Sequence, residues 1–97
     1  MTAVDAVGSA RIELIRAVLT AAFTPTRLAI SDDSHRHIGH AGARDGRGHF
    51  SVEIVSAAFA GQSALARHRA VYAALGALMD SDIHALAIQA RSADEGD

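Results

Sequence analysis

Across Phe50, Val52 and Ile54, apolar residues alternate strictly with His49, Ser51 and Glu53. A period of two suits a half-buried β-strand, because successive side chains of a strand point to opposite faces. The same period recurs where Leu28 and Ile30 alternate with Arg27, Ala29 and Ser31. Outside these segments the apolar spacing changes to three and four residues. Ile12, Ile15, Val18, Leu19 and Phe23 make one helical stripe, and Leu65, His68, Val71, Tyr72, Leu75, Leu78 and Met79 make another. Neither a helical stripe nor a strand face is stable alone, so the strands are predicted to pair and the helices to cover one face of the sheet.

Boundary residues sharpen this outline. Ser9 is predicted to cap the first helix, and Thr24-Pro25 ends it, since the residue before proline is driven out of the helical region. Asp32-Asp33-Ser34 closes the first strand as a turn. Ser63 is predicted to cap the second helix, which runs to Asp80-Ser81-Asp82. Gly76 within it costs about 1 kcal/mol relative to alanine, which suggests a close packing contact there. Residues 83–90, reached through that helix, read as a third strand, and a right-handed crossover makes it parallel to its neighbour. The expected fold is α+β, in the order α-β-β-α-β, with a three-stranded mixed sheet and both helices on one face. Ala29, Ser31, Ser51, Glu53, Ala85 and Ala87 are left for the open face. Ninety-seven residues suffice for one such domain, 1–97, with 1–9 and 92–97 expected to be flexible and the polar tail from Arg91 loose.

Composition narrows the function. The net charge is −2, so no general basic surface advertises nucleic acid or anionic membrane. No apolar run is long enough to span a bilayer, and Met1–Ala10 does not read as a secretory or transit peptide; a soluble cytoplasmic protein is expected. There is no Cys, hence no disulfide and no thiolate nucleophile, and the six His carry most of the metal-binding capacity. Neither a G-x-S-x-G elbow nor a phosphate-binding G-x-x-x-x-G-K-[ST] loop occurs, and adjacent Asp32 and Asp33 leave a strand in different directions. An enzyme with a small-molecule substrate is therefore not expected.

Three groups of residues remain as candidates. His35, His37 and His40 lie within six residues, in a connection that also holds half of the chain's eight Gly. The segment reads either as a hairpin connector or as a source of imidazole ligands, which suit zinc, copper and iron. His84 stands at the start of the third strand with the parity of Leu86 and Ile88. It is either a core-facing structural histidine, or a ring at a strand end that reaches past the sheet and shares a metal ion with a loop imidazole. Arg67-His68-Arg69 is the best basic patch, since 61–79 holds two Arg and no acid. Arg67 and Arg69 read as a solvated helix flank or as contacts to a partner or nucleic acid.

The phrases Asp33-Ser34-His35, His49-Phe50, Val55-Ser56, Phe59-x-Gly61, Arg67-His68-Arg69-x-Val71-Tyr72 and His84-Ala85-Leu86-Ala87-Ile88 together resemble the BolA family, from about Ile12 to Arg91. The resemblance implies a fold related to class II KH domains, cytosolic partnership with a monothiol glutaredoxin, a [2Fe-2S] cluster shared between the two proteins, and a role in iron homeostasis. It implies that His84 is the C-terminal cluster ligand. The loop ligand, Cys in some members and His in others, falls here on His37 or His40, with His40 favoured because it lies deeper in the glycine-rich segment. Asp33 stands where the family more often has Glu.

Chemistry fits the implied partnership. Iron–sulfur clusters are held mainly by thiolates, which this chain lacks, so sulfur must come from the partner and from glutathione, leaving two imidazoles for the other iron. Such neutral ligands raise the reduction potential. They also make the cluster acid-sensitive, because protons compete with iron for imidazole near its free pKa of about 6.5. The rival function is a DNA-binding transcriptional regulator. A KH domain clamps backbone with a G-x-x-G loop between helices. Here that turn reads Gly61-Gln62-Ser63-Ala64, while Gly39-His40-Ala41-Gly42 spells the motif only between strands.

Overall fold

Alternation at Phe50, Val52 and Ile54 becomes the central strand. A computed structural model describes residues 3–33 and 48–93, arranged as α1 (Ala3–Phe23), β1 (Arg27–Asp32), β2 (Gly48–Val55), a 3-10 turn (Ala57–Phe59), α2 (Ala64–Leu75), a short α3 (Leu78–Ser81) and β3 (Ile83–Arg91). The sheet order is β1-β2-β3. β1 pairs antiparallel with β2 through Leu28↔Ile54 and Ile30↔Val52, and β3 pairs parallel with β2 through Phe50↔Leu86 and Val52↔Ile88. The mixed sheet and the parallel third strand are as expected from the sequence.

The core lies on one face. Ile15 and Leu19 of α1, Phe50, Val52 and Ile54 of β2, Phe59 of the 3-10 turn, Val71 and Leu75 of α2, and Ile83 of β3 form one buried cluster. Side chains on the opposite face of β2, His49, Ser51 and Glu53, are only partly buried. Ser56, 1% exposed, joins two elements at the rim. Its hydroxyl donates to the carbonyl of Phe23 at 2.6 Å and accepts from the Ala58 amide at 3.1 Å. One of the orphan carbonyls at the end of α1 is thereby satisfied, and the 3-10 turn is capped.

Several local expectations are corrected. α1 begins at Ala3, so Ser9 lies inside the helix rather than capping it, and the leading residues 3–9 are helical; no proline precedes Ser9, so the helix can extend further than a cap residue alone suggests. The polar end of the chain is ordered as far as Ser92: Arg91 pairs with Val55, its carbonyl accepts from the Ser56 amide at 2.9 Å, and Ser92 is buried. Ser63 caps α2 as predicted, its hydroxyl accepting from the Ala66 amide at 3.1 Å. The predicted single helix breaks at Gly76, where φ is 50°. A Cβ at Gly76 would approach nothing closer than the Ala73 carbonyl at 3.7 Å. Glycine is therefore used for its left-handed backbone at a helix C-terminus and not for close packing.

The buried stripe of α2 is also displaced from the predicted one. Arg67, Val71 and Leu75 face inward, whereas Leu65 and Tyr72 are 59% and 40% exposed. Arg67 can take a core-facing position because its Nη1 donates to the Ala90 carbonyl at 3.0 Å, and Tyr72 directs its hydroxyl to the Leu86 carbonyl at 3.3 Å. β3 alternates, and the Arg91 carbonyl turns towards β2, so the carbonyls of Leu86 and Ala90 face away from β2, where α2 supplies their donors. Arg67→Ala is accordingly expected to destabilise the fold by about 1–3 kcal/mol, and Arg69→Ala, at an exposed position, to change it by less than about 0.5 kcal/mol. Urea denaturation of both variants checks this; equal effects would contradict the inward placement.

Candidate metal-ligating site at the head of the parallel strands

Parallel strands begin at the same end of a sheet, so the first residues of β2 and β3 are neighbours. The ladder there is irregular. Gly48 pairs with Ile83 and His49 with Ala85, leaving His84 as the extra residue of a β-bulge. The two ends of the strand confirm the count, because the Asp82 carbonyl accepts from the Gly48 amide at 2.9 Å and the Arg91 carbonyl from the Ser56 amide at 2.9 Å. Carbonyls on both an even and an odd residue point to β2 only if one residue has been inserted between them.

The bulge decides where His84 points. In a regular strand it shares the core-facing parity of Leu86 and Ile88. Here Ile83 takes the core position, fully buried, and His84 is exposed. Burying an isoleucine side chain is favourable by about 1.5–3 kcal/mol, whereas burying an imidazole requires partners for its polar nitrogens. The core-histidine reading of His84 is thus overturned, and the reading that sends its ring away from the core stands.

The ring of His84 lies against His49, centroids 5.1 Å apart and planes inclined by 53°. His49 is half-buried, with Nε2 shielded from solvent. Sequence reasoning did not place His49 in the site, since it read as the polar partner of Phe50. Parallel pairing was half of the signal: it sets a histidine at the head of each of two neighbouring strands, but in a regular register the rings fall on opposite faces, and the bulge is what brings them to one.

The surroundings are anchored. The Asp33 amide donates to the His49 carbonyl at 2.7 Å, and the Asp33 carboxylate accepts from the hydroxyls of Ser51 and Ser31. Arg11 Nε reaches Asp82 Oδ1 at 3.2 Å, tying α1 to the turn before β3. The Ser81 hydroxyl above all, helped by the Arg11 guanidinium, holds the Asp82 carboxyl below the usual carboxylate range, although desolvation opposes it. A carboxyl whose folded pKa is depressed stabilises the fold above its unfolded pKa, and that contribution is lost as pH falls through the lowered value.

His35, His37 and His40 lie outside the described residues. The segment that carries them leaves from Asp33 and returns at Gly48, both beside His49. Among the described residues no three His, Asp or Glu side chains gather as a metal site. His49 and His84 alone leave a bound ion unsaturated. Arg67 and Arg69 do not form a common patch, because Arg67 is 8% exposed and turned to β3. No helix among the described residues is long and apolar enough to cross a membrane.

A mixed three-stranded sheet backed by helices, with two imidazoles side by side at the head of its parallel strands, defines a small α+β domain. The BolA-like protein family matches residues 19–95, and the chain belongs to that family. It is 47% identical over 79 residues to an uncharacterized protein in the cobS 5′ region of a Sinorhizobium species, covering 79% of this chain and 85% of that one. It is 41% identical over 76 residues to the DNA-binding transcriptional regulator BolA of Escherichia coli, covering 78% and 70%. Among solved structures, the BolA domain of SufE1 from Arabidopsis thaliana superposes with a TM-score of 0.78 at 39% identity, over 91% of this chain and 96% of that one. Other relatives are much longer, the chain spanning 55% of chloroplastic BOLA1 and 22% of SufE-like protein 1 from the same plant.

Proposed function

We propose that this protein pairs in the cytoplasm with a monothiol glutaredoxin and glutathione to hold a shared [2Fe-2S] cluster, acting in cluster trafficking or iron homeostasis and not as an enzyme. The observation that carries the reading is the bulge that turns His84 out of the core and leaves it exposed. The donor set agrees: the chain offers imidazole and no thiolate, so it can supply only part of a cluster's ligands. His84 is the ligand on the folded strand, and His40 or His37 of the connecting segment supplies the second imidazole. When bound, the cluster brings one-electron and iron-transfer chemistry. The chain's own task is to present neutral nitrogen on a fixed backbone.

Anaerobic mixing with a monothiol glutaredoxin, glutathione, ferrous iron and sulfide tests this. The wild-type mixture is expected to give a visible spectrum distinct from that of glutaredoxin alone, and His84→Ala to revert it to the glutaredoxin spectrum. Identical spectra with and without the wild-type chain would remove the proposal. The second reading, a DNA-binding regulator, rests on the printed name of the Escherichia coli relative. Salt-dependent retardation of duplex DNA, weakened by Arg69→Ala, together with no spectral change, would favour it. Arg67→Ala is unsuitable for that test because Arg67 supports the fold.

A further inference from the structure

We propose that His49 and His84 form a two-imidazole site for a divalent transition-metal ion, which this chain holds without any partner. The inference shares only His84 with the glutaredoxin reading and does not depend on it. Its basis is the spacing of the rings. With a metal–nitrogen distance of about 2.1 Å and the ring centre roughly 1.1 Å beyond the nitrogen, two imidazoles at the tetrahedral angle have centroids about 5 Å apart. The centroids of His49 and His84 are 5.1 Å apart.

Backbone rigidity favours capture at this spacing. His49 is held in β2 between two ladders, with its carbonyl accepting from the Asp33 amide at 2.7 Å. His84 is fixed by the buried Ile83 on one side and by the pairing of Ala85 with His49 on the other. The turn before Ile83 is held by the Gly48 amide on the Asp82 carbonyl at 2.9 Å and by the Arg11–Asp82 ion pair at 3.2 Å. Little backbone freedom remains to be lost when an ion bridges the rings, which is the condition for a tight chelate. Neutral nitrogen donors select zinc, nickel or copper over calcium and magnesium, which prefer oxygen. Exposure of His84 leaves the remaining coordination positions open to water or to a small exogenous ligand.

Zinc is the probe. Calorimetric titration of the full chain at neutral pH compares wild type, His49→Gln, His84→Gln, the double variant, and a variant with His35, His37 and His40 all changed to Gln. Each single change at 49 or 84 is expected to weaken zinc binding by at least about tenfold, since even a residue that only supports a metal ligand is worth that much. The double variant is expected to be no weaker than the worse single, because one chelate is lost once. The variant without the three connecting-segment histidines should retain the site. His49→Gln binding zinc as tightly as wild type, or binding lost only with His35, His37 and His40, overturns the proposal. Should His49→Gln unfold, the ring resonances of wild type decide: zinc is expected to shift those of His49 and His84 in one step, and a shift confined to other histidines refutes the pair. Neither arm contains glutaredoxin or sulfide, so its failure is distinct from failure of the cluster assay.

Discussion

Phe59→Ala lowers the unfolding free energy by about 3–5 kcal/mol, the range for removing a buried aromatic side chain and leaving its space unfilled. Phe59 is 1% exposed, and its ring meets that of Phe23 at a centroid distance of 4.9 Å with planes inclined by 37°. Such a pair adds about 0.5–1.5 kcal/mol beyond the area it buries. The partner lies at the end of α1, and the turn bearing Phe59 is capped by Ser56, whose hydroxyl also donates to Phe23. Deleting the ring therefore loosens a joint between the first helix and the central strand as well as opening a cavity. A small domain is stable by only about 5–15 kcal/mol in all, so the variant should unfold at a markedly lower urea midpoint. Leu65→Ala, at a residue that the helical spacing alone would bury, should shift stability by less than about 0.5 kcal/mol, because Leu65 is 59% exposed. A loss below about 1 kcal/mol for Phe59→Ala would mean that this joint is not packed.

What could be read from the residues depended on whether hydropathy alone decided the outcome. β2 was fully legible, because its apolar and polar side chains separate cleanly onto two faces. Parallel pairing of β3 followed from connectivity, and the stripe of α1 from spacing. The stripe of α2 was misjudged by about one position, since a guanidinium that reaches a strand carbonyl can occupy an inward position that a polarity pattern assigns to solvent. For His84 the sequence left two directions open, core-facing or outward, and the choice was not legible because one inserted residue reverses the parity of everything before it. His49 was missed because the parallel topology brings it beside His84 only once the bulge has put the two on one face. The pattern of a single strand does not display what lies across a ladder; pairing must be reasoned first and the faces compared afterwards.

Ile83→Ala separates stability from site geometry. Ile83 is fully buried, so truncation is expected to cost about 2–4 kcal/mol, as other large-to-small core changes do. A comparable loss, at the upper end of that range, is expected for Leu19→Ala in α1, also fully buried. The two variants should nevertheless differ at the head of the strands. Burial of Ile83 is what selects the bulged register over the regular one, in which His84 occupies the core position beside Leu86 and Ile88. With alanine at 83 the apolar advantage of the bulge falls, and the His84 ring loses its fixed place against His49. Ring-to-ring nuclear Overhauser contacts between His49 and His84, expected in wild type and retained in Leu19→Ala, should weaken or vanish in Ile83→Ala under conditions where both variants are folded. The spectral change with glutaredoxin should follow the same order. Equal ring contacts in the two variants would show that the bulge is held by the backbone ladder and the Arg11–Asp82 ion pair alone, and that the core residue beside the histidine has no part in presenting it.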